Sequence, residues 1–309
     1  MPQQRVFGGG SVWLVRFTSR AAAAALVAVF AIVITTDSAS AQERGGAAAP
    51  VPPPSSASGA PSTAPALSLD EQERFLLEAK VIRARAINIG VTGTTRLTLT
   101  DGRLTHDGQF QPIDETKQRF ESTRGTEFNF RDCWCYNVAA YRLARLLDLD
   151  MIPPSVERTY NGQKGSFTWW VDDVLMDEAA RVKKKIATPD ADRWNQQMWH
   201  VRVFDQLIYN VDRNLGNLVI DSDWRIWMID HTRAFRLFDT LKAVGNLVRA
   251  DRQFLERLKA LDRARVVEAT KNYLTPFEIN ALLKRRDLIV QHFERVEGSV
   301  FDWDRPNRR

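Results

Sequence analysis

The stretch NVDRNLGN, Asn210–Asn217, packs Asn, Asp, Arg and Gly into a short connection between two apolar segments. Upstream, ADRWNQQMWHVRVFDQLIYNV (191–211) carries the spacing of a long helix. Downstream, LVIDSDWRIWMID (218–230) reads as a hairpin turned at Asp221-Ser222-Asp223. An Asx-rich turn would account for the loop, because Asn, Asp and Gly favour turns. It does not account for Asp230, which ends an apolar strand where a charge needs a partner or a metal.

Asp212 and Asn217 are five residues apart, and Asp230 follows thirteen residues later. Two carboxylates and a carboxamide, carried on a loop and on the end of the next hairpin, can converge on one cleft. That is the set phosphoryl transfer requires: one carboxylate to orient a hydroxyl and take its proton, and hard oxygen ligands to hold Mg²⁺ against phosphates.

FDQLIYNVDRNLGNLVID (204–221) with WMIDHTRAF (227–235) resembles the catalytic segment of atypical kinases. These include the phosphatidylinositol 3-/4-kinase-like, HipA-type and secretory-pathway kinases. The resemblance spans residues 200–236 and implies an α+β, two-lobed protein-kinase-like fold. The small lobe would be β-rich with one helix (about 68–174) and the larger lobe helical (about 175–309). It implies Asp212 as catalytic base, with Arg213 supporting the loop, and Asn217 and Asp230 as ligands of Mg²⁺ or Mn²⁺. The triplet at the second metal position is Asp-His-Thr rather than Asp-Phe-Gly. Asp205 and Asn210 are expected to brace the loop.

The small-lobe counterparts are less regular. Gly90 and Gly93, in NIGVTGTTR, are the candidate phosphate loop; an ordinary hairpin is the alternative. No Lys occurs between Lys80 and Lys117, and Gln109 and Gln111 stand where the phosphate-binding Lys is expected. Lys117 is the substitute candidate. Asn137 stands where related kinases carry the Glu that pairs with that Lys, so Asp132, Glu121 or Glu127 would have to serve. The hinge is placed in WWVDDV, Trp169–Val174.

The rest of the chain sets the frame. With 309 residues, 44% hydrophobic and 26% charged, it can bury a core without cross-links. The net charge of +5 falls to +3 without residues 1–41, and acids and bases are interspersed, so no nucleic-acid partner is expected. Arg16 and Arg20, the apolar run 21–36 and Ala39 and Ala41 form the pattern of a secretory signal peptide over 1–41. An uncleaved anchor is the alternative, and the one route to a membrane. Residues 42–67, rich in Ala, Pro and Ser, read as a disordered linker to a domain over 68–309. Ser68 with Glu71 marks a capping box. Asn161-Gly162 marks a hairpin turn. FNFRDCWCYNVAAYRLARLLDLD (128–150) reads as helical, and helices are expected from Leu237 onward. Cys133 and Cys135 are taken as core thiols. The four histidines lack metal-ligand spacing.

The expectation is an exported, periplasmic or extracellular, Mg-ATP-dependent phosphotransferase acting on a hydroxyl acceptor. A pseudokinase used as a scaffold is the alternative.

Overall fold

The helix α1, Leu69–Glu78, opens on the expected capping box. Ser68 Oγ accepts from the Glu71 N–H at 3.3 Å, and the Glu71 carboxylate accepts from the Ser68 N–H at 2.8 Å. Strands β1 (Lys80–Ala86), β2 (Thr95–Thr100) and β3 (Thr105–Gln111) follow as an antiparallel meander. Then come β4 (Asp114–Ser122), β5 (Gly125–Cys133), helix α2 (Cys135–Leu146), and β6 (Ser155–Tyr160) with β7 (Gln163–Trp169). The last two are joined at Asn161-Gly162, both at positive φ as a two-residue hairpin turn requires. The computed structural model describes residues 67–87, 94–122, 125–303 and 305. The expected leader, and the linker up to residue 66, lie outside them.

The first sheet has the order β1-β2-β3-β7-β6. Its inward side chains, Leu97, Leu99, Phe110, Val156 and Phe167, close with Phe75 and Leu76 of α1 into one core. Gly108 and Gly165 allow this closeness: a Cβ at Gly165 would sit 2.4 Å from the Phe110 ring and 2.7 Å from the Gln111 carbonyl oxygen.

The second half contains β8 (Val174–Asp177), α3 (Glu178–Lys184), α4 (Ala191–Leu207), β9 (Leu218–Asp221) and β10 (Ile226–Met228). It continues with β11 (Ala250–Asp251), α5 (Arg252–Lys259), α6 (Arg263–Thr270), α7 (Pro276–Arg295) and β12 (Val300–Phe301). A β10-β9-β8 sheet lies against the helices. Phe204, Leu207, Ile220, Met228, Leu258, Leu282 and Ile289 are buried in the larger core. Helix α2 contributes Tyr141, Leu143 and Leu147 to that core, while also packing on β6 and β7. The one helix between the halves of the fold is therefore buried on both sides.

Three expectations are corrected. Residues 128–133 are strand, not helix: Phe130 pairs with Lys117 and Phe128 with Arg119 in the β4–β5 ribbon. The helical spacing is carried by Val138, Tyr141, Leu143, Leu146 and Leu147, on α2 and its C-cap, and does not extend back to 128–133. Residues 237–249 are not helical apart from a short 3₁₀ turn, because side chains from elsewhere take up their backbone groups. Cys133 and Cys135 form a disulfide rather than two thiols. On one helix the two side chains would diverge. Here Cys133 ends a strand and Cys135 starts a helix, which brings the Cα atoms to 5.2 Å.

Asp251 ties the second half together. Its carboxylate caps α5 through the Phe254 N–H at 2.8 Å and accepts from the Trp303 N–H at 3.1 Å, with His200 at 3.8 Å. Burial raises its pKa, but His200 and the two N–H donors outweigh that and hold it below the ordinary Asp value of 3.8. A folded pKa below the unfolded one adds stability at neutral pH that is lost as pH falls through the folded value. Asp251→Asn is expected to flatten that acid limb and to cost roughly 1–2 kcal/mol at pH 7. An unchanged acid limb in pH-dependent urea melts would contradict this.

Candidate active site

The long helix α4 ends at Leu207, and the chain crosses to β9 through residues 208–217. Asp205, in the last turn of α4, organises this crossing. Its carboxylate accepts from Asn210 Nδ2 at 3.2 Å and from Arg213 Nε and Nη2 at 2.9 and 3.1 Å. Asn210 Oδ1 in turn accepts from the Asp212 N–H at 3.0 Å. Arg213 spends Nη1 on the carbonyls of Asn217 at 3.0 Å and Ile229 at 2.7 Å. One arginine thus links the α4 terminus, the loop and the end of β10. Arg213 is a positioning residue, its side chain 12% exposed and its donors occupied by protein.

The same geometry links the Asp212 loop, Asn217 and the strand end before Asp230 through main-chain groups. Asn217 Nδ2 donates to the Asp212 carbonyl at 3.4 Å, and the Asn217 carbonyl accepts from the Ile229 N–H at 3.1 Å. Asp230 follows Ile229 at φ +54°, a conformation uncommon outside Gly, Asn and Asp. Its Oδ1 accepts from Thr232 Oγ1 at 3.0 Å.

A divalent cation fits this donor set. Asp132, next to the disulfide, lies close enough to Asp230 to feel its charge. Burial pushes the Asp132 pKa up and Asp230 adds to the rise, while Thr232 and the Arg233 charge offset part of it. Asp132 Oδ1 is buried and meets no hydrogen-bond partner among the described residues. A buried, partnerless carboxylate oxygen near a second carboxylate calls for a cation or a proton. No group of three His, Cys, Asp or Glu residues among those described could hold a metal alone. One or two carboxylates supplemented by phosphate oxygens is the usual Mg²⁺ arrangement.

The small-lobe side of the cleft departs from expectation. Asn137, on α2, donates from Nδ2 to Gln111 Oε1 at 2.8 Å and to Ser166 Oγ at 3.1 Å. Its Oδ1 accepts from the His231 N–H at 2.8 Å. The two positions where a Lys–Glu ion pair was sought therefore hold a Gln–Asn amide pair, buried and hydrogen-bonded. Asn137 ties β3, β7 and α2 to the residue after Asp230. The His231 ring is buried against Phe204, with its pKa held well below the ordinary His value by burial and by the Arg213 charge. It is neutral packing and carries no charge into the cleft. Asn137, Asp230 and His231 line a narrow cleft with Gln109, Ser155 and Thr168.

Lys117 lies on β4, away from the five-stranded sheet, half-exposed and paired with Glu115 at 2.8 Å. Gly90 and Gly93 lie outside the described residues. Within the hinge segment, Trp169 stacks on His106 with ring centroids 3.6 Å apart, and Asp172 reaches His106 Nε2 at 2.9 Å. Sequence reasoning missed the roles of Asn137 and Thr232. Asn137 was read only as a missing Glu. Thr232 stood in the anomalous Asp-His-Thr triplet, which was the available signal.

An antiparallel sheet with helix α2 behind it, a helical second half and the loop from α4 to β9 make up a protein-kinase-like fold. The solved structures it resembles are of that class. A hydra Fam20 solved with sugar matches over 76% of this chain and 92% of its own, at TM-score 0.57 and 15% identity. A Golgi casein kinase matches over 75% and 76% of the two chains, at TM-score 0.52 and 13% identity. Its form with Mn and ADP bound matches over 78% and 80%, at TM-score 0.53 and 13% identity. No protein-family model matches the chain, and no curated protein sequence matches it.

Proposed function

We propose that the chain is an exported phosphotransferase that uses ATP with Mg²⁺ or Mn²⁺ to phosphorylate a hydroxyl. The observation that carries this reading is the convergence of Asp212, Asn217 and Asp230 on one loop–hairpin junction, beside the partnerless Asp132 oxygen. Asp230 and Asn217, with Asp132 near them, would hold the cation, which neutralises phosphate charge when bound. Asp212 orients the acceptor hydroxyl and takes its proton as the oxygen attacks. Asp205, Asn210 and Arg213 keep that carboxylate in place.

Export is supported by the leader pattern in residues 1–41 and by the Cys133–Cys135 disulfide, since such bonds persist in oxidising compartments. No helix among the described residues is long and apolar enough to cross a membrane. The likeness to a sugar-bound Fam20 and to a casein kinase makes sugars and protein Ser/Thr the first acceptor classes to assay.

One observation favours a second reading, a pseudokinase. The Gln111–Asn137 pair carries no charge to meet the α- and β-phosphates. Calorimetric titration of ATP into the protein, with Mn²⁺ or with chelator, separates the two readings. Metal-dependent binding that Asp230→Ala abolishes is expected. A folded protein that binds no nucleotide with either metal would overturn the enzyme reading.

A further inference from the structure

We propose that Arg233, three residues beyond Asp230, is a catalytic residue that supplies the phosphate-binding cation absent from the small lobe, by contacting the γ-phosphate. The inference rests on the phosphotransferase reading above and adds a residue to it.

The guanidinium is placed by several independent contacts. Its backbone carbonyl accepts from the Val211 N–H at 3.3 Å, which fixes Arg233 against the loop that carries Asp212. Its side chain lies over the Phe130 ring, 4.9 Å from the centroid, and 5.8 Å from that of Phe120. Nη2 donates to Glu127 of the β4–β5 ribbon. Nη1 points toward Asp212, 4.0 Å from Oδ2, too long for a hydrogen bond. Nε is buried and has no hydrogen-bond partner among the described residues.

The charges also leave Arg233 available. Glu127 is met by Arg236 as well, at 2.7 Å. Two guanidiniums thus share one carboxylate, and Arg233 also faces Asp212 at 4.0 Å. An arginine with five donors and a fixed planar fork suits phosphate oxygens. Beside the residue that takes the acceptor proton, it lies where charge builds up on the transferred group. An arginine supplied within the same chain serves this end in other phosphoryl-transfer proteins. The β4–β5 ribbon then gains a role: Glu127 and the Phe120–Phe130 pair preset the arginine. Lys117, whose Nζ lies 5.3 and 5.5 Å from the same ring centroids, is spent on Glu115.

The test compares ATP and ADP binding by calorimetry, with Mn²⁺, on the full chain and on Arg233→Met and Arg233→Lys. The unaltered protein is expected to bind ATP at least about tenfold more tightly than ADP, the scale of one charge-assisted hydrogen bond. Arg233→Met should equalise the two while leaving ADP affinity unchanged, and Arg233→Lys should fall between. A purely structural arginine would lower the melting temperature and leave the ATP/ADP ratio intact, which would overturn the proposal. So would an unaltered protein that binds ATP and ADP equally; the nucleotide site would then stand without Arg233. Failure of the unaltered protein to bind either nucleotide would remove both readings. If Arg233→Met does not fold, Arg233→Gln, a neutral side chain that keeps a donor for Glu127 while Arg236 still pairs with that carboxylate, carries the same comparison.

Discussion

Asp212→Asn is expected to cut phosphoryl transfer by roughly 10²–10⁴-fold in kcat, the range general-base groups contribute, with ATP affinity unchanged. The substitution isolates chemistry from architecture. The hydrogen bonds that place Asp212 are made by its backbone: the N–H to Asn210 Oδ1 and the carbonyl from Asn217 Nδ2. An amide of the same shape preserves them. Its side chain is about one-third exposed, and Arg233, the cation 4.0 Å from it, keeps Glu127 as a partner when the charge is lost. What disappears is the oxygen that accepts the acceptor proton. A fall in kcat and kcat/KM together, at constant KM for ATP, marks a contribution made in the transition state. A variant that retained full kcat would exclude Asp212 as the base and move that role to another residue of the cleft.

Arg285→Met is expected to destabilise the protein by about 3–5 kcal/mol, the summed cost of leaving the carbonyls it serves without a donor. That corresponds to a fall of roughly 10 °C in melting temperature for a domain of this size. Arg285 lies on α7 with a fully buried side chain. It donates to the carbonyls of Leu207 at 2.8 Å and of Arg236 at 3.0 Å, and to that of Phe238. Burial depresses its pKa to about 10, so it stays charged at neutral pH. The three carbonyls belong to the end of α4 and to the segment after Asp230. Methionine fills most of the volume but leaves them without a donor, at about 1–3 kcal/mol for each group that cannot reach water. A loss under 1 kcal/mol in denaturant melts would show that water enters and replaces the guanidinium.

Much of the fold was legible in the sequence where its signals are local. The helix over 191–207, the 221–223 turn, the capping boxes and the 161–162 hairpin each depend on residues within a few positions. The β4–β5 ribbon was missed for the opposite reason. Its strands are mostly exposed, so their alternation is not apolar against polar, and Phe128 and Phe130 fall within the stretch that reads as helical. Asn137 and Gln111 could be named as substitutes for an ion pair, but not as partners of each other, since 26 residues separate them and hydrogen-bond geometry is set by packing.

The sequence by itself determined the kinase-like order of elements and the spacing of Asp212, Asn217 and Asp230, because loop length and strand ends follow from short-range turn chemistry and apolar periodicity. Only the tertiary structure decided what faces that loop. Asp132, at the end of a strand, and Asn137, on the helix that follows it, are neighbours in sequence but far from the loop and from Arg233. Their proximity depends on how α2 is buried between the two cores and how the β4–β5 ribbon reaches the residues after Asp230. Partners of that kind are selected by burial and charge compensation across the fold, so no local pattern announces them.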